Sequence, residues 1–142
     1  MGVNLKQLAD SSMGLEGAAK GSGEFMFINV PYNTTSPLTL SHGIVSRACQ
    51  VQSIMFCPDV ASTNAATATV FQAASTVALG AGTALHSGTL NLQAVAGTNV
   101  LPTLSTVAGA LSVAAGSRIG IVIGGALGAA GNGVVTIGMT PA

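Results

Sequence analysis

The chain has 142 residues, four basic and four acidic, with no net charge and no tryptophan. A length of this order fits one domain that buries roughly two-thirds of the surface its unfolded chain would expose. Nucleic-acid binding normally draws on clustered Lys and Arg and on aromatic stacking, and neither is supplied, so nucleic acid is not an expected partner.

The charge is unevenly placed. Lys6, Asp10, Glu16, Lys20 and Glu24 fall in the first 24 residues, and only Arg47, Asp59 and Arg118 occur in the 118 that follow. An ordinary soluble domain is about a quarter charged, so a body this bare is expected to work covered by other protein. Ala, Gly, Ser and Thr make up 69 of the 142 residues, yet Leu, Ile, Val and Phe total 38. That share lies above the roughly 20% below which disorder is the default, and the chain is expected to fold.

Residues 1–23 differ from the rest, with Leu5 and Leu8 at helical spacing, glycines at 14, 17, 21 and 23, and most of the charge. They read as an N-terminal extended arm attached to a body of residues 24–142. On a partner's surface Leu5, Leu8, Met13 and Leu15 would gain something to bury against, which makes them the candidate contact residues. Polar residues interrupt the apolar ones from Met1 to Leu8, so no secretory signal is expected and synthesis in a cytoplasm is.

From Glu24 onward no long helical stripe occurs, and the pattern predicts strands over 24–30, 38–45, 49–57, 67–74, 89–93, 100–105, 111–114, 118–124 and 134–140. Leu90 and Leu92 alternate with Thr89, Asn91 and Gln93, and Val135, Ile137 and Met139 alternate with Thr136, Gly138 and Thr140. One face of each strand therefore enters a core, which is antiparallel behaviour. Val51 and the pair Ile54 and Phe56 fall on opposite parities, which predicts a bulge near Gln52 and Ser53. The expected fold is all-β, an antiparallel sandwich or jelly roll of about eight strands.

The most apolar window, 106–130, holds one charge, Arg118, at its middle. A charge at the centre of a spanning helix costs at least about 2.5 to 3.5 kcal/mol. Ile119, Ile121 and Ile123 alternate with Gly120, Val122 and Gly124, so the window reads as strand and no membrane partner is expected. Cys49 and Cys57 lie eight apart in one predicted strand, roughly 26 Å at about 3.3 Å per residue, too far for a disulfide. They read as small buried hydrophobes.

Few reagents for chemistry are present. His42 and His86 each adjoin a serine, Ser41 and Ser87, but neighbours in a strand face opposite ways, so neither pair joins nucleophile to base. A triad would have to combine distant pieces such as His86, Asp59 and some serine. No His-x-His, Cys-x-x-Cys or carboxylate cluster occurs among His42, His86, Cys49, Cys57 and Asp59, so no metal or cofactor is expected. Beyond the arm only Asp59 is available for carboxylate chemistry. The sequence therefore predicts no catalytic residue. Asn33, Thr34 and Thr35 match a glycosylation acceptor but read as a polar turn after Pro31. The glycine-rich run 120–131 lacks a Gly-Lys-Ser/Thr ending and reads as a loop, not a phosphate cradle.

Many predicted strands carry Ala, Thr and Gly where a free-standing sandwich carries charge, and the edges lack the lysines that discourage unwanted pairing. Flat outer faces and occupied edges are the expectation.

Four stretches, Cys49 to Pro58, Gly82 to Leu92, Leu111 to Val122 and Gly133 to Ala142, together resemble the cement, or head decoration, proteins of tailed double-stranded DNA bacteriophages. The likeness spans roughly residues 24–142 and leaves the arm outside. It implies a jelly-roll body on the outside of a capsid, often paired across two-fold and quasi-two-fold positions and bridging neighbouring major capsid proteins. The partners implied are a major capsid protein and a second copy of the chain, a homodimer in preference to a trimer. The location implied is the virion exterior, after synthesis in the host cytoplasm. The alternative is a β-sandwich binding module, a tail or fibre component that recognises sugar or a receptor. That reading is handicapped by a single tyrosine, Tyr32, and no tryptophan for stacking.

Overall fold

The computed structural model describes residues 25–34 and 38–142; the arm, with Leu5, Leu8, Met13 and Leu15, and the boundary at 23/24 lie outside the described residues. Nine strands follow in chain order: β1 (Met26–Tyr32), β2 (Thr39–Ile44), β3 (Cys49–Val60), β4 (Thr67–Ala73), β5 (Thr83–Ala84), β6 (Leu90–Asn91), β7 (Ser112–Val113), β8 (Arg118–Gly124) and β9 (Asn132–Pro141). Among the described residues one 3-10 turn, Leu79–Ala81, lies between β4 and β5.

The pairing has a simple order. β1 pairs with β9, β2 with β8, β3 with β7, and β4 with both β5 and β6, all antiparallel. The first half of the chain thus runs back along the second in reverse order. Two further ladders, β9 with β3 and β8 with β4, roll this ribbon into two sheets, β1-β9-β3-β7 and β2-β8-β4-β5, with β6 also on β4. That is the jelly-roll arrangement. Because β5 and β6 share one edge of β4, nine strands occupy eight places.

Alternation builds the core. Val135, Ile137 and Met139 of β9 and Ile119, Ile121 and Ile123 of β8 face each other across the sandwich with Ile54, Phe56 and Val70. The two central strands carry the β-branched residues that suit a pleated, packed face. In β3, Cys49 and Val51 are buried before a register shift between Val51 and Ser53, and Ile54 and Phe56 after it, so Gln52 sits at the predicted bulge. Cys49 is buried and Cys57 half-buried in that strand, and both thiols are free.

Two stretches differ from expectation. Residues 100–105 form no strand: Val100 bridges Phe56, Leu104 bridges His86, and nothing continues between them. Pro102 stands in the middle and has no N–H to give a ladder. The run 120–131 is a loop only after Gly124, since Gly120 to Gly124 belong to β8. In the loop proper Gly125 and Gly128 adopt φ of 85° and 76°, and a Cβ on Gly128 would stand 1.9 Å from the Thr63 hydroxyl. The glycines let this loop close onto residues 62–64, where Ala129 N–H donates to Thr63 Oγ1 at 3.1 Å and Ser62 Oγ lies 2.8 Å from the Leu127 carbonyl.

Phe56 is fully buried at the centre of this core. Phe56→Ala should lower unfolding stability by about 3 to 5 kcal/mol, read as a reduced urea midpoint at unchanged slope.

Candidate functional site

The outer faces of the two sheets are not equivalent. On the β2-β8-β4 sheet a Cβ on Gly120 would meet the Leu40 carbonyl of the neighbouring strand at 2.0 Å and the Leu79 side chain at 2.8 Å. Leu79 is buried yet stands outside the core cluster between the sheets. The Arg118 guanidinium donates to the Val77 carbonyl. Residues 74–82 therefore form a strap that closes part of this face with the chain's own atoms, and burying Leu79 contributes about 1.5 to 3 kcal/mol.

The β1-β9-β3 sheet has no such cover among the described residues. Its outer rows run Phe27, Gly138, Ser53; then Asn29, Thr136, Met55; then Pro31, Val134, Cys57. The Phe27 ring lies over Gly138, where a Cβ would come within 3.3 Å of it. Phe25 stacks on Phe27 with ring centroids 6.0 Å apart and 14° between planes. These rings are 52% and 62% exposed, and Met55 and Val60 are exposed as well. Polar groups on the face satisfy one another: Thr136 Oγ1 donates to Asn29 Oδ1 at 2.8 Å, and Gln52 Nε2 donates to Thr140 Oγ1 at 3.1 Å. Asp59 is the one charged residue in the strands of this sheet. Beside Phe27 an apolar cleft opens between the sheets, lined by Met26, Ile28, Ile44, Val45 and Met139. Together these residues form a face of exposed apolar side chains and small, mutually bonded polar ones, with no charge in the rows from Phe27 to Cys57.

The residues considered for chemistry are placed apart. His86 is buried at the β4 edge, in the gap between β5 and β6. Its Nε2 accepts from Val70 N–H at 3.0 Å, which puts the proton on Nδ1, facing the Ser87 carbonyl at 3.3 Å. The imidazole thus replaces a strand carbonyl, and neither nitrogen is left for a serine. His42 is exposed on β2, where the register shifts between Ser41 and Gly43. Among the described residues no three of His, Cys, Asp and Glu converge as a metal-ligand set. No helix among them is long and apolar enough to cross a membrane.

Tyr32 is a core wedge. Its ring packs on Phe56 at 6.2 Å, it is 2% exposed, and its hydroxyl has no hydrogen-bond partner among the described residues. Burial, with a smaller Coulombic push from the neighbouring Asp59 and Cys57, raises the phenol to about 12. A sugar platform cannot be built on it.

Phe25, Phe27 and Met55 escaped the sequence reading as surface residues. The signal was the unbroken run Phe25-Met26-Phe27-Ile28, apolar on both parities, which marks a strand with apolar side chains on both faces. No family model matches the chain, and neither a curated protein nor a solved structure does.

Burial lowers the His86 pKa below its ordinary 6.5. The folded protein binds this proton more weakly than the unfolded chain, so stability rises with pH across the interval. The contribution of His86 should be complete above about pH 6.5 and lost as pH falls through the folded value. Urea midpoints between pH 7.5 and pH 5 should fall less in His86→Gln, whose amide oxygen can accept from Val70 without titrating.

Proposed function

We propose that this chain is a structural virion protein, a capsid decoration or cement protein of a tailed bacteriophage that binds the outside of the shell and bridges neighbouring major capsid proteins. It works as a homodimer, on the virion exterior, and its chemistry is contact alone. The observation that carries this reading is the open, uncharged outer face of the β1-β9-β3 sheet, with Phe25, Phe27, Met55 and Val60 exposed in a body that has almost no charge to keep it in water. The sequence resemblance supplies the kind of partner, and the jelly-roll wrapping agrees with it.

The physical role follows from linkage. A protein that binds only the assembled shell stabilises that state as any state-selective ligand does. A standard contact buries about 1,600 Å² in total, and repetition over a lattice raises the effective strength of each link. An uncharged contact face avoids the desolvation of ions that a charged one would incur.

Purified protein should bind filled phage heads at many copies per particle, and particles lacking it should release DNA at lower temperature or lower salt than complete ones. Deleting residues 1–23 should weaken attachment while leaving the β body folded by circular dichroism. Failure to bind heads, together with specific retention on a glycan array, would replace this reading with the sugar-binding one.

A further inference from the structure

We infer that the outer edge of β1 is the self-contact: two copies of the chain pair their β1 strands antiparallel about a two-fold axis centred on Phe27, joining their sheets into one. This names the surface of the dimer proposed above and rests on that reading for its purpose, while the pairing itself follows from the backbone.

The open positions can be read from the hydrogen bonds. Phe56 exchanges bonds with Val100, 2.8 Å from its N–H and 2.7 Å to its carbonyl, so its backbone groups face away from β9. Backbone direction alternates along a strand, so Met55 and Cys57 face β9 and bond their register partners Thr136 and Val134. By the same alternation Gly138 is directed towards β3. Those β9 residues are then turned away from β1, and their β1 neighbours Phe27, Asn29 and Pro31 direct their backbone groups outward. Pro31 agrees independently, since its missing N–H costs the β1–β9 ladder nothing on that side.

β1 is an edge strand of seven residues with no charge and no bulge in its register, so it lacks most of the devices that blunt a free edge. The other long edge, β2, is interrupted by the register shift at His42. A second copy meets what the edge offers. A two-fold centred on Phe27 sets Phe27 opposite its own symmetry mate and Asn29 opposite Phe25 of the second copy. Every N–H used is then present. Centring on Ile28 or Asn29 instead would call on the N–H that Pro31 lacks. The chosen register also brings the exposed Phe25–Phe27 stacks of both copies together on one face, as cross-strand aromatic pairs. The contact is isologous, as a closed dimer requires.

The test uses the full chain without shells, so that its failure is distinct from a failure to bind capsids. Sedimentation equilibrium should give twice 13.8 kDa for the unaltered protein. Asn29→Pro removes an outward N–H, and so one ladder bond from each copy, together with the side-chain acceptor of Thr136 Oγ1, and should raise the dimer Kd about 30-fold or more; Asn29→Ala, which loses that acceptor but keeps the N–H, should leave the dimer intact. Phe27→Lys should do the same by placing a charge on the edge, whereas Met55→Lys, on the open face but two strands away, should leave the dimer intact. Amide exchange at Phe27 and Asn29 should slow as concentration rises. A monomer at all concentrations, a trimer, or a dimer that Met55→Lys breaks and Asn29→Pro does not would each overturn the inference. So would monomers whose Phe27 and Asn29 amides are already protected, which would assign the edge to residues 1–24 of the same chain.

Discussion

β8 and β9 each have to satisfy two neighbours at once, and the rest of the body follows from that requirement. β9 bonds β1 on one side and β3 on the other, and β8 bonds β2 and β4. Their residues direct backbone groups to the two sides alternately while their side chains alternate between core and exterior. Ile119, Ile121 and Ile123 with Val135, Ile137 and Met139 fill the interior. The outward positions Gly120 and Gly138 have no room for a side chain, because the Leu40 carbonyl and Leu79 crowd the first and the Ser53 hydroxyl and the Phe27 ring crowd the second. The poverty in bulky polar residues is thus partly a packing condition of the sandwich itself.

How much of this is legible from the chain depends on whether a residue acts through its own alternation or through a distant partner. β8, β9 and the bulge in β3 are read from parity alone, because a half-buried strand writes its register into the order of its side chains. The pairing at β4's free edge is not. β6 lies within the predicted strand 89–93, whose Leu90 and Leu92 are both buried, but β5 is two residues with no period of its own, and the gap between them is closed by the imidazole of His86, a side chain in place of a backbone group. Residues 100–105 look like a strand by composition, and Pro102 reduces them to two separate bridges. The strap over 74–82 also leaves no periodic trace, since it is held by one buried leucine and one arginine donating to a carbonyl.

The scarcity of charge has different consequences on the two sheets. On the strapped sheet Arg118 is absorbed internally, half-buried with its guanidinium on Val77, so one of the few ions of the body solvates the fold instead of the surface. On the open sheet Asp59 stands near one end of β3, and the rows from Phe27 to Cys57 carry no charge. The scarcity of charge is the sequence feature behind the proposal that other protein covers this one. The strap makes the two sheets unequal, and so favours the open one as the face left for a partner.

An edge strand and an outer face raise different physical problems, and here they meet at the same residues. An apolar face costs free energy roughly in proportion to area and can be covered by any flat neighbour. An open edge asks for backbone groups at fixed spacing, and only another extended strand supplies them. Phe27 belongs to both, with its ring on the face over Gly138 and its N–H and carbonyl on the edge. A partner that pairs with the edge therefore also shelters the rings, and leaves the remainder of the face, around Met55 and Val60, for a second and chemically different contact. The proposed bridging role would use the two surfaces separately: the edge to join like to like in a fixed geometry, and the rest of the face to lie on whatever the joined pair binds.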